Sequence, residues 1–190
     1  MKPIHQPQIS NLITEIQTAF KNVSRENGIS LNEAWVIDDY GDEEERAEAR
    51  ANDTDTEWQQ VPDDDIYFAH VCLSYFDPIT FRYYLPAYMI WILKNYDQTD
   101  SLTPESTLYN LTLTDQKFHQ WATDRRQELE LLPGPEYSKV QKWELERFHI
   151  FSKEQSKSIA HFLQFIAEYQ DNEDAQKALD RYWQKFNTPE

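Results

Sequence analysis

Apolar residues recur along most of this chain at steps of three and four, the spacing that lines one face of an α-helix. Ile9, Leu12, Ile13, Ile16, Phe20 and Val23 form the first such stripe and predict a helix that ends near Gly28. Ser30 with Glu33 has the form of a capping box, and Gly41 supplies a stop, so residues 31–40 read as a short second helix. Residues 43–51 are rich in alanine and glutamate, with Asp42 and Arg46 spaced for a helical ion pair, and predict a third, mostly solvated helix. Residues 52–60 read as a polar loop anchored by Trp58. Pro62 then suits the first turn of a helix over residues 62–76, where Asp63, Asp64 and Asp65 complement the positive end of the dipole.

Residues 79–93 are apolar on nearly every side, the pattern of a central helix enclosed by others. Pro86 removes a donor and clashes with the preceding turn, so a kink near Tyr84 or a junction of two helices is expected there. Farther on, Leu108, Asn110 and Thr112 alternate with Tyr109, Leu111 and Leu113, which fits a short strand whose candidate partner is 147–151. Residues 114–132 and 136–146 read as polar helices divided by Pro133-Gly134-Pro135. Ser152 with Gln155 repeats the capping-box pattern ahead of Ile159, Phe162, Leu163, Ile166 and Tyr169. Ala175, Ala178, Leu179, Tyr182, Trp183 and Phe186 make the last stripe. The expected fold is mainly α: a single-domain helical bundle over residues 1–190 around a central apolar helix, with one short two-stranded β element.

Composition supports that reading and removes several function classes. A chain of 190 residues with 39% hydrophobic content is long enough for one buried core, and three glycines are too few for a fold of many tight hairpins. The longest apolar run, residues 83–93, is 11 residues, about half of the roughly 20 that span a bilayer as a helix. Cys72 is the one cysteine, which excludes an internal disulfide framework, and no apolar run precedes a small-residue cleavage site near Met1. The expected location is the cytoplasm.

Charge changes the picture more. Residues 38–65 hold 13 acids against Arg46 and Arg50, a net of −11 out of −16 for the chain. Such a surface repels phosphate backbones and anionic membranes, so neither nucleic acid nor a membrane is an expected partner.

Within that segment Asp53, Asp55 and Glu57 alternate in a loop and are candidate oxygen ligands for a divalent metal. They miss the EF-hand pattern, because Trp58 stands where glycine is needed and Asp64 where a bidentate glutamate is needed. No other cofactor is implied. His70 and Cys72 are two apart and point to different sides of a helix, and His119, His149 and His161 stand singly without ligand spacing. Arg82, Tyr84 and Tyr88 form a candidate pocket within an aromatic segment for which core packing is the favoured reading. Arg82 there calls for a carboxylate or carbonyl partner, and residues 38–65 have acids available for it.

Three runs, EAWVIDDYG at 33–41, ARANDTDTEW at 49–58 and DPITFRYYLPAYM at 77–89, together resemble an uncharacterised bacterial domain family of unknown function. The likeness extends to 106–111 and to Arg147-Phe148 with the helix that follows, whereas 114–146 departs from it and reads as an insertion. The resemblance implies no activity. It does imply that the acidic segment belongs to the folded domain. The expected function is a non-enzymatic interaction domain of inhibitor, immunity or nucleic-acid-mimic type, in which Asp42, Glu43, Glu44, Glu45 and Glu48 meet a basic protein partner. The alternative is a metal-binding domain or metal-dependent enzyme built on Asp53, Asp55 and Glu57.

Overall fold

Pro78–Asn95 (α5) is the axis of the molecule, and twelve of its residues are buried. Asp77 caps it, accepting from the Ile79 and Thr80 amides, and also accepts from the Ile29 amide of the preceding segment. Burial alone would raise the Asp77 carboxyl, but these bonds outweigh it and the group is lowered. Pro86 lies inside one uninterrupted helix, so the expected junction of two helices is not formed. Packing on all sides outweighs the roughly 3 kcal/mol that an interior proline costs.

The computed structural model describes residues 6–187, and among them are ten α-helices and no strand. Around α5 stand Gln6–Ala19 (α1), Leu31–Asp38 (α2), Glu43–Asn52 (α3), Asp63–Phe68 (α4), Thr103–Asn110 (α6), Gln116–Glu128 (α7), Tyr137–His149 (α8), Lys153–Gln170 (α9) and Glu173–Arg181 (α10). Short 3₁₀ turns occupy Trp58–Gln60, Ala69–Ser74 and Trp183–Phe186. The result is a mainly α, single-domain fold. None of the described helices is long and apolar enough to cross a membrane.

Several elements differ from the sequence reading. α1 stops at Ala19, well short of Gly28; Asn22 takes φ 61°, and the Trp58 indole donates to the Phe20 carbonyl at 3.0 Å. The expected strand at 108–113 is instead the end of α6 and the turn after it. Pro104, Thr107, Leu108 and Leu111 are buried at helical spacing, a pattern that the alternation of the same leucines concealed. Its expected partner, 147–151, is the end of α8 and the turn beyond.

The helix expected over 62–76 is cut to α4 followed by 3₁₀ geometry. Side chains from elsewhere take the carbonyls that would continue it. Thr103 donates to Ile66 O, Ser101 to Tyr67 O, Tyr88 to Ala69 O, Ser106 to His70 O and Arg147 to Leu73 O. Arg147 is itself buried, with its guanidinium 3.7 Å from the centre of the Phe81 ring. Burial lowers it to about 9, against the opposing pull of Glu144 and Asp77.

Candidate functional site

The acidic segment folds as a helical pair, α2 and α3, and one carboxylate outside the 38–65 count organises it. Glu33 is 3% exposed. Its side chain closes the capping box of α2 and takes ion pairs from both arginines of the segment, Arg46 at 2.9 Å and Arg50. The expected Asp42–Arg46 pair is therefore not formed. Asp42 is the N-cap of α3, accepting from the Glu44 and Glu45 amides, while Glu45 bonds back to the Asp42 amide at 2.9 Å. Because Arg46 and Arg50 both reach to Glu33, the outer acids of α3 are left without an arginine partner.

The junction between the two helices presents an aromatic side chain. α2 ends in a Schellman motif, with the Gly41 amide on Val36 O at 2.8 Å and the Tyr40 amide on Ile37 O at 3.2 Å. The left-handed position of that motif, where glycine is usual, holds Tyr40 at φ 61°. Gly41 comes one residue later, where a Cβ would meet Val36 Cγ1 at 2.3 Å. Tyr40 is 96% exposed, between Asp39 and Asp42. Sequence reading missed it; the signal was Tyr-Gly directly after an apolar helix, with the glycine read as the whole stop.

The other carboxylates divide into two sets. Asp38 accepts from the Tyr75 hydroxyl at 2.6 Å, and Asp53 accepts from the Asn32 amide and side chain at 2.9 and 2.7 Å. Asp55 accepts from Tyr83 at 2.8 Å and lies 3.4 Å from the Tyr84 hydroxyl. Asp39, Glu43, Glu44, Glu48, Asp63, Asp64 and Asp65 are exposed and make no hydrogen bond or ion pair through their side chains among the described residues. Asp53, Asp55 and Asp65 line a cleft of about 360 Å³ with Asn32 and Gln60. The Asp65 carboxyl is raised there by partial burial first, then by the charges of Asp53, Asp64 and Asp55.

For the candidate metal ligands the geometry is unfavourable. Asp53 and Asp55 already hold hydrogen bonds, Glu57 is exposed, and among the described residues no group of three or more His, Cys, Asp or Glu side chains is arranged to hold a metal ion. The candidate pocket at Arg82, Tyr84 and Tyr88 is also not assembled. Tyr84 and Tyr88 are fully buried, Tyr88 donating to Ala69 O at 2.6 Å. Arg82 finds its carboxylate in Glu26, at 3.7 Å, rather than in residues 38–65. Cys72 is buried with its thiol against Leu31 O, and burial pushes that thiol up, out of nucleophilic range at neutral pH. His161 pairs with Glu15, and His119 contacts the Pro135 carbonyl.

The chain belongs to a family of unknown function (DUF6714), whose model matches residues 8–187. No curated protein and no solved structure matches it.

Proposed function

We propose that this member of a family without an assigned activity is a cytoplasmic, non-enzymatic interaction module whose α2–α3 face binds a basic protein. One observation carries the reading: both arginines of the segment are turned onto buried Glu33, so the acids that remain outside face solvent without internal neutralisation. Complementary charge of this kind speeds encounter and selects among partners. Tyr40 adds an apolar anchor to the charged rim, and a tyrosine surrounded by polar groups is a frequent hot spot of interfaces. Asp42 and Glu45 contribute less directly, because their carboxylates hold the start of α3 and orient Glu43, Glu44 and Glu48.

The test is recovery of partners from the native host by the wild-type chain, by the triple variant Glu43→Lys, Glu44→Lys, Glu48→Lys, and by Tyr40→Ala. The expected result is a basic protein retained at low salt and released as salt rises, lost with the triple variant and weakened by about 2 kcal/mol in Tyr40→Ala. Equal recovery of that protein by all three chains would refute the proposal.

A further inference from the structure

Between α6, α7 and α10 lies a cavity of about 460 Å³ that shares no residue with the acidic face. Its size is that of a small-molecule site, for which roughly 300–1,000 Å³ is usual. Three of its walls are aromatic. Tyr109 and Phe118 meet edge to face at 6.4 Å, and Phe118 and Trp121 lie 5.5 Å apart. These rings are not core: Tyr109 is 59%, Phe118 41% and Trp121 60% exposed, and α7 buries none of its residues. An element that turns its aromatic face to solvent gains nothing for the fold from doing so, whereas a planar guest would cover all three rings.

The charged lining specifies the guest further. Arg181 pairs with Asp115 and donates to Leu113 O, and Lys177 pairs with Asp174 at 2.8 Å. Those four cancel. Two charged groups line the cavity without an ion pair among the described residues, Lys117 and Glu105, and they have opposite signs. Lys117 also stands in the first turn of α7, where a cation opposes the helix dipole, and the charge it acts on there is that of Asp115, which Arg181 already pairs.

We infer that this cavity binds a small aromatic zwitterion, a single ring system carrying one carboxylate and one ammonium group. The ring stacks on Phe118 and Trp121, the carboxylate meets Lys117, and the ammonium meets Glu105. Both charges are needed, since an aromatic anion alone would face Glu105 and an aromatic cation alone would face Lys117.

Isothermal titration and saturation-transfer NMR with three matched probes, phenylalanine, hydrocinnamate and phenethylamine, read this directly. Phenylalanine is expected to bind in the millimolar range or tighter, and each singly charged probe about tenfold more weakly. Lys117→Ala should bring phenylalanine down to the level of phenethylamine, and Glu105→Gln to that of hydrocinnamate. Trp121→Ala should weaken all three probes by about tenfold or more while leaving the circular dichroism and melting temperature unchanged, because the ring is exposed. Failure of phenylalanine to bind, binding no tighter than that of the singly charged probes, or insensitivity to Trp121→Ala would overturn the inference.

Discussion

Tyr40 shows how one residue can work against the fold and for a surface. An L-residue in the left-handed region costs about 1 kcal/mol or somewhat more, and strained backbone of this kind concentrates where function requires it. Glycine there would relieve the strain. Tyr40→Gly is therefore expected to raise stability by about 1 kcal/mol, or about 2–4 °C in Tm for a chain of this size, while removing the anchor from the proposed interface. Thermal melts paired with partner binding separate the two effects; a Tyr40→Gly chain that is less stable would show that the tyrosine contributes packing the structure does not display. None of this was legible from composition or spacing, because the conformation of one backbone residue decides it. Glu33 was legible only in part. The capping box marked it, yet its burial beneath two arginines depends on how α3 returns over α2.

At the scale of elements, α3 is held by charge rather than by a core. It buries no residue, and its links to α2 run through Glu33 and through the Asp53 cap on Asn32. Removing the two partners is not equivalent to removing the carboxylate. Arg46→Ala with Arg50→Ala strands a buried anion and is expected to cost about 3–5 kcal/mol. Glu33→Gln leaves two half-exposed arginines that water can solvate and is expected to cost only about 1–2 kcal/mol. Denaturant unfolding of both variants measures the difference, and equal costs would mean that Glu33 is hydrated in solution. Helix placement was read well where apolar residues recur at helical spacing, as in α5, α9 and α10. It failed over 69–74 and 108–113, where hydroxyls from distant positions claim backbone carbonyls or where leucines sit two apart as well as three apart. The surroundings of the candidate metal ligands were hidden for a related reason: Asp53 and Asp55 read as free in a polar loop, but Asn32, Tyr83 and Tyr84, 21 to 29 residues away, hydrogen-bond to them.

For the whole molecule, the cluster of hydroxyl-bearing rings around α5 sets a limit at high pH. Tyr75 is pushed up to about 12, chiefly by its bond to Asp38, then by burial. Burial, then Asp55, raises Tyr83 and Tyr84, and burial raises Tyr88. A group whose value is raised by folding contributes stability fully below its ordinary value and loses it above. These tyrosines therefore stabilise the fold below pH 10.0, their ordinary value, and the contribution disappears as pH climbs past it. Arg147 acts in the opposite direction, while buried Cys72, raised like these tyrosines, acts with them. The expected outcome is cooperative alkaline unfolding that begins above pH 10.0, with phenolate absorbance and loss of helical circular dichroism rising together. Tyrosines that ionise while the helices persist would show that the rings titrate in the folded state.

The 3₁₀ turn at Ala69–Ser74 has one more consequence, for how the chain can be divided. The carbonyls within and just before it are claimed by Ser101, Thr103, Ser106 and Arg147, groups 34 to 74 residues downstream. A fragment that ended after α5 would contain every residue of the turn and of the acidic face, yet of the donors that fix its geometry it would keep only Tyr88. The proposed binding face is thus coupled to the C-terminal helices: the surface is written in the first half of the chain, but the turn on which α2 rests is completed by donors from the second.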